Sequence, residues 1–267
     1  MRYLPTVWPR KNIGADEYTL RVRPRFYAPH VDERAERVDL PDDEAEHLVR
    51  VLRLGVGDEV DVIDGRGGMF RAAIVHADKR AAAIRPLERL TAAPELTVDV
   101  TLVMSVLKGD KMDDVVRDAV MLGVAAVHPV VSERAETSMA ALARSSRIAR
   151  WQRIAVSSAK QCARAVVPVV HHATPLDWYW SEKTDATRLL CVEPSAALGE
   201  VLPVQRVARP KAVHLIVGPE GGWSVTEVAA AHQSGAILMS LGTRTLRADA
   251  VPIVALTALL TTWGELT

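Results

Sequence analysis

The stretch Val213-His214-Leu215-Ile216-Val217-Gly218-Pro219-Glu220-Gly221-Gly222 decides how this chain is read. An apolar, β-prone run stops abruptly at glycine, which suits a backbone that must turn sharply and let a ligand approach its amides. About twenty residues later Leu241-Gly242-Thr243-Arg244-Thr245-Leu246-Arg247 repeats the pattern. One glycine turn after a strand is common, but two, each leading into a helix, predict a pocket built largely from backbone at the C-terminal edge of a parallel sheet. The plainer alternative is that both turns only connect strand to helix.

Working outward, Ser224-Val225-Thr226-Glu227 has the spacing of a capping box and predicts a helix from Ser224 whose free amides face the first turn. Residues 188–192 and 236–241 predict flanking strands, and a last helix begins near Asp249 with Pro252 in its first turn. Further back, Val98 to Val106 is almost continuously apolar, as a strand covered on both faces requires. Met112, Val115, Val116, Ala119 and Val120 mark one face of a helix ending at Gly123, and a strand follows over 124–131. A single long helix is expected from about Ser138 to Ala165. Its inner side carries Ile148, Trp151, Ala155, Ser158 and Cys162, and its outer stripe Arg147, Arg150, Arg153, Lys160 and Arg164.

Before Thr91-Ala92-Ala93-Pro94 the texture is different. A helix opened by Asp42-Asp43-Glu44 is followed by short alternating strands at 59–64, 70–75 and 82–84, the pattern of a small, barrel-like β unit. The expected organisation is therefore an N-terminal extension over 1–23, a small β unit over 24–93, and an α/β unit over 94–267 in which helices cover a parallel sheet.

The composition narrows the function classes. With 33 basic and 33 acidic residues the chain has no global charge to draw it to nucleic acid or a membrane, so any such site must be local. Cys162 and Cys191 are far apart and no Cys/His cluster has ligand spacing, so neither a disulfide framework nor a zinc site is expected. No stretch is long and apolar enough to span a bilayer, and the N-terminus lacks a signal-peptide core, which predicts a soluble, cytoplasmic protein with no membrane partner. Neither G-x-x-x-x-G-K-[ST] nor G-x-G-x-x-G occurs. No serine sits in a nucleophile elbow, and His128 and His214, within apolar strands, are expected to be core histidines satisfied by backbone. The basic helix stripe, paired with Arg25, Arg50, Arg53 and Arg71, offers cationic surface on both halves and points to a phosphate-backbone partner.

Taken together, Arg25-Phe26-Tyr27, His47 to Arg53, Leu107-Lys108-Gly109-Asp110-Lys111-Met112, Ser132-Glu133-Arg134, Gln161-Cys162-x-Arg164, Gly218 to Gly222 and Leu241-Gly242-x-Arg244-x-Leu246-Arg247 resemble the RsmE family. These are 16S ribosomal RNA uracil-N3 methyltransferases of the SPOUT class. The resemblance runs from about residue 24 to the C-terminus. It implies an N-terminal PUA-like β-barrel that helps hold RNA and a SPOUT methyltransferase domain ending in a trefoil knot, a topology that chain connections normally avoid. It also implies a homodimer, and S-adenosylmethionine held by the knot loops. Carried over, the cofactor residues are Leu190, Glu193, Pro194, Val217, Gly218, Pro219, Glu220, Gly221, Gly222, Leu241, Gly242, Leu246 and Arg247. The RNA-binding candidates are Arg25, Arg50, Arg53, Lys108, Lys111, Lys160 and Arg164, with 16S rRNA of the small ribosomal subunit as the partner.

Because the methyl group of a sulfonium is already activated, positioning supplies much of the rate and no catalytic triad is needed. A fixed guanidinium would stabilise the anion that develops on uracil O2 and O4 as the N3 proton leaves. Arg164 or Arg247 is expected in this role, with Arg134 as a further candidate; binding phosphate is the competing role for each. Three features depart from the family pattern, one of them the N-terminal extension over 1–23. Lys160 stands where many relatives carry Glu, and Ala248-Asp249-Ala250-Val251-Pro252 replaces a hydroxyl-bearing segment, with Asp249 able to act as N-cap. A non-catalytic RNA-binding or ribosome-assembly protein on the same scaffold is the alternative.

Overall fold

A computed structural model describes residues 23–193 and 200–266. Residues 1–22 of the extension expected over 1–23, and the candidate cofactor residue Pro194, lie outside the described residues. The first half of the chain builds a five-stranded sheet from β1 (Arg25–Tyr27), β2 (Val38–Asp39), β3 (Glu59–Ile63), β4 (Met69–Ala77) and β5 (Ala82–Leu90), in the order β1-β3-β4-β5-β2. β3, β4 and β5 are antiparallel neighbours, whereas β1 runs parallel to β3. Register shifts between Arg71 and Ala72 and between Ile74 and His76 bend the β4–β5 pair and let Pro86 sit within a strand without a ladder donor. The sheet curls around Phe26, Leu48, Val60, Val62, Phe70, Ile74 and Ile84. The curl is that of the barrel-like unit expected, and among the described residues no pairing joins its outer strands β1 and β2.

The acidic run opens α1 (Asp42–Glu46), as expected, but the helix does not continue regularly. His47–Val51 is a π-helical turn in which the Leu52 N–H reaches the His47 carbonyl at 3.0 Å. Arg53 follows with φ 56°, in the left-handed region that a side chain rarely adopts.

Beyond residue 94 strands and helices alternate. The strands β6 (Asp99–Ser105), β7 (Ala126–Val131), β8 (Val169–Val170), β9 (Thr174–Pro175), β10 (Thr187–Cys191), β11 (Val201–Pro203), β12 (Ala212–Val217) and β13 (Ile237–Ser240) form one sheet in the order β11-β13-β10-β12-β6-β7-β8, with β9 also on β7. Every pairing is parallel. The helices are α2 (Lys111–Met121), α3 (Met139–Ala143), α4 (Arg147–Gln161), α5 (Leu176–Ser181), α6 (Val225–Gln233) and α7 (Val251–Thr262). One apolar layer lies under α2, α4 and α7, around Leu102, Met104, Trp151, Leu189, Leu215 and Leu259, and another lies under α5 and α6, around Val103, Leu190, Ile216 and Leu238. Helices thus cover both faces, which explains why β6 and β12 are apolar without alternation.

The single helix expected over 138–165 is two. Ser138 caps α3 by accepting the Ala141 N–H. The chain then breaks at Ser145, whose hydroxyl and N–H both turn back to the Leu142 carbonyl at 2.8 and 3.0 Å, offering the backbone a local alternative to the helix. α4 restarts at Arg147 and buries Trp151, Ala155, Ser158 and Ala159, while Cys162 lies past its end and half-buried.

The two sheets are joined at several points. Gly67 N–H donates to Ala165 O and Val167 N–H to Gly65 O, at 3.1 and 3.0 Å. Arg25 Nη1 donates to the Lys160 carbonyl at 3.1 Å, and Lys160 Nζ meets Glu44 Oε1 at 2.5 Å with both side chains largely buried. The other oxygen of Glu44 accepts the Tyr27 N–H at 3.0 Å. No helix among the described residues is long and apolar enough to cross a membrane.

Candidate active site

The turns that follow β10, β12 and β13 open at the same, C-terminal edge of the sheet, because the three strands are parallel neighbours. Between them lies a cavity of about 610 Å³, within the range of small-ligand pockets. The β10 turn gives it Cys191, Val192 and Glu193, the β12 turn Val217 to Trp223, and the β13 turn Leu241, Gly242 and Arg244 to Asp249. Lys111, Arg134, Val228 and Val251 complete the wall.

Two contacts fix these turns against each other. Trp223 Nε1 donates to the Cys191 carbonyl at 2.9 Å, joining the β12 and β10 turns, and its ring covers Gly218, where a Cβ would come within 2.9 Å of it. Gly221 is pressed against Arg134 in the same way; a Cβ there would lie 3.0 Å from Arg134 Cβ, and Arg134 Nη1 donates to the Gly221 carbonyl at 3.0 Å. Glycine at these positions is therefore a packing requirement. Ser224 caps α6 as its spacing predicts, with Glu227 reciprocating.

The ionisable groups of the cavity are mostly arranged in pairs. Lys111 Nζ lies 2.8 Å from Glu220 Oε1. Burial works to raise the Glu220 carboxyl, but the Lys111 hydrogen bond, supported by the Lys108 N–H and the Lys111 charge, holds it below the ordinary carboxylate range. Arg247 makes two contacts of 3.1 Å with Asp249, whose pKa is lowered first by that hydrogen bond. Arg134 has no carboxylate within ion-pair distance among the described residues. Burial pushes the Cys191 thiol up to about 12, so this sulfur is not a nucleophile at neutral pH.

Of the expected cofactor residues, Glu193, Val217, Gly218, Pro219, Glu220, Gly221, Gly222, Leu241, Gly242, Leu246 and Arg247 line the cavity. Leu190 does not; it is buried beneath, packed in the layer of Ile216 and Leu238. Trp223 and Val228 also line it although no motif points to them, and only the proximity of Trp223 to the glycine turn signals it.

The arginine candidates separate clearly. Arg134 and Arg247 are on the cavity wall, but Arg164 is not. Its guanidinium is buried, with Nε and Nη2 on Glu95 and Nη1 on the carbonyls of Val120 and Val124, so every face is engaged in holding α2 and the segment before β6. Arg164 is a structural residue, and its expected roles in catalysis and RNA binding are withdrawn. The outer stripe of α4 is largely engaged too, although Arg153 is exposed and reaches only the Ala149 carbonyl of its own helix. Arg147 donates to the carbonyls of Leu107 and Gly109, Arg150 pairs with Asp110 and Asp113, and Lys160 is committed to Glu44. Lys108 pairs with Glu136 and Arg25 is bonded to Lys160, whereas Arg50, which reaches back to Glu46, and Arg53 project from the π-helical turn into solvent. Asp249 does not cap the last helix; Ala250 occupies that position and the carboxylate goes to Arg247.

His128 and His214 are satisfied by side chains, not backbone: His128 Nε2 lies 2.9 Å from Thr174 Oγ1 and His214 Nδ1 lies 2.8 Å from the Tyr179 hydroxyl. Burial, then the neighbouring His171 and His214, lowers His128 to about 4. Among the described residues no group of His, Cys, Asp and Glu could hold a metal ion.

Sequence comparison places this cavity in a known class. Residues 94–260 match the model of an RNA methyltransferase domain, and residues 40–87 that of an RNA methyltransferase PUA domain. A ribosomal RNA small subunit methyltransferase E from Synechocystis is 36% identical over 216 residues, covering 79% of this chain and 68% of that protein. A structure of the same enzyme from Neisseria gonorrhoeae, bound to S-adenosyl methionine, superposes with a TM-score of 0.82 at 32% identity, over 92% of this chain and all of that one. A Legionella pneumophila protein solved with the cofactor SAM gives a TM-score of 0.79 at 27% identity, over 90% and 97% of the two chains. The chain belongs to the ribosomal RNA small subunit methyltransferase E, or RsmE, family.

Proposed function

We propose that this protein transfers the methyl group of S-adenosylmethionine to N3 of a uridine in 16S rRNA of the small ribosomal subunit. We also propose that it acts in the cytoplasm as a homodimer, in two units divided near residues 93 and 94, the second ending in a trefoil knot. The observation that carries the reading is the convergence of the β10, β12 and β13 turns on one cavity of about 610 Å³. β10 lies between β12 and β13, so the residues that leave the three strands are side by side. At Gly218 and Gly221 the space a side chain would take is filled by Trp223 and Arg134, so these turns present no side chain of their own. A solved relative carries S-adenosyl methionine.

The Val217 to Gly222 turn, Leu241, Gly242 and Leu246 would hold the cofactor, with Glu193 as the acidic group at its edge. When bound, the cofactor supplies an electrophilic methyl group on a sulfonium. The work left to the chain is to orient the uracil and to stabilise the charge that spreads to O2 and O4 as the N3 proton departs. Arg134 suits this role, since its guanidinium reaches the cavity wall without a carboxylate partner. Arg247 is the second candidate, its charge already shared with Asp249. Exposed Arg50 and Arg53 beside Val51 and Val56 form a basic and apolar tip suited to RNA. Lys111, paired with Glu220 at the cavity, and Lys108, paired with Glu136, are further candidates for contact with RNA.

Incubating small subunits that lack the modification with labelled S-adenosylmethionine and mapping the nucleoside by mass spectrometry tests the proposal. 3-Methyluridine in 16S rRNA is the expected product. RNA binding without label transfer would instead identify a non-catalytic assembly protein.

A further inference from the structure

The capping box that starts α6 does more than cap. Glu227 Oε2 accepts the Ser224 N–H at 2.9 Å, which completes the box. Its other oxygen, Oε1, accepts the Glu133 N–H at 2.8 Å from the turn after β7, 94 positions away in sequence. One carboxylate therefore ties the helix behind the glycine turn to the segment that carries Arg134.

That segment is fixed on both sides of the contact. Ser132 is buried with its Oγ 2.6 Å from Ser105 Oγ on β6, and Arg134 is seated on Gly221. Between these anchors, the Glu133 amide meets no acceptor but Glu227 among the hydrogen bonds of the described residues. The Arg134 side chain is exposed and long, so the placement of its guanidinium depends on where its backbone is held.

We infer that Glu227 is a positioning residue for Arg134: it never touches the substrate but sets the guanidinium's place at the cavity wall. The inference rests on the methyl-transfer reading above. Glu227→Gln keeps the shape of the side chain but retains a single acceptor oxygen for two N–H donors, so an amide N–H must face one of them. Glu227→Asp retains the negative charge near the start of α6 but is too short to span both turns.

The test measures methyl transfer at saturating RNA and cofactor, cofactor affinity by calorimetry, and amide exchange at Glu133, for each variant alone and in an Arg134→Lys background. Both variants are expected to speed Glu133 exchange and to lower kcat roughly tenfold, with cofactor affinity within about twofold, because a displaced catalytic contact costs rate more than binding. In the Arg134→Lys background the further loss of kcat should shrink to less than about twofold, since coupled residues do not add. An undiminished effect in that background would overturn the inference. So would Glu227→Asp with wild-type kcat, which is what a cap alone predicts. If the unmodified protein transfers no methyl group, the functional reading fails instead. The exchange measurement still reports whether Glu227 holds the Glu133 turn, and unchanged protection in both variants would overturn the inference by itself.

Discussion

The indole of Trp223 donates its N–H to the carbonyl of Cys191 at 2.9 Å, so the turn after β12 is fastened to the end of β10 across the floor of the cavity. The same ring roofs Gly218. Replacing Trp223 with Phe keeps most of the apolar cover but removes the donor, leaving a carbonyl without its partner. The expected loss is about 1 kcal/mol of stability and a several-fold weaker cofactor affinity, read by thermal melting and by calorimetry. Gly218→Ala should weaken binding more than Trp223→Phe, because a Cβ placed 2.9 Å from the ring must move it.

Arg164 and Glu95 form a largely buried pair that also ties down the carbonyls of Val120 and Val124. Arg164→Ala should cost about 3 kcal/mol of unfolding free energy, because acceptors built around a cation are left without one. Denaturant unfolding checks this. The methyl-transfer rate per folded molecule should change little, in contrast to Arg134→Ala, where stability should hold and the rate fall.

The contact between Lys160 and Glu44 crosses from α4 to α1. Lys160→Glu would place two carboxylates in that space, and the variant should melt several degrees lower. Adding Glu44→Gln, which removes the repulsion and keeps an acceptor for the Tyr27 N–H, should restore part of the loss. A double variant no better than the single one would show that the ion pair does not hold the units together.

His128 stays neutral in the fold because burial disfavours its charged form, and its pKa falls to about 4. The unfolded chain, with an ordinary histidine pKa near 6.5, binds the proton first. Stability is therefore complete above about pH 6.5 and declines as the pH falls toward 4. His128→Asn should flatten this part of the stability profile, measured by denaturant unfolding at successive pH values.

Much of the site was legible because it is made of backbone. The apolar run from Val213 forms β12 up to Val217, the glycines after it shape the cavity, and the Ser224 box is formed as its spacing predicts. These features depend on neighbours in sequence, which local pattern records. What the pattern missed depends on partners far away. Arg164 has the same local appearance as a surface arginine, and only the fold brings Glu95 to it. Within the basic stripe of α4, Arg150 and Lys160 look free in sequence because their carboxylate partners, Asp110, Asp113 and Glu44, come from other elements. The break at Ser145 and the π-helical turn at His47 are small local preferences that override an otherwise helical pattern. Asp249 was placed as a cap by spacing alone, and the stronger attraction of Arg247 took it.

The central claim is that the turns after β10, β12 and β13 hold the methyl donor through their backbone. A crystal structure of this protein grown with S-adenosylmethionine tests it most directly. The account predicts the donor between Val217–Gly222 and Leu241–Leu246, its methyl group open toward Arg134. A donor bound elsewhere, or one turned so that its methyl group faces away from Arg134, would contradict it.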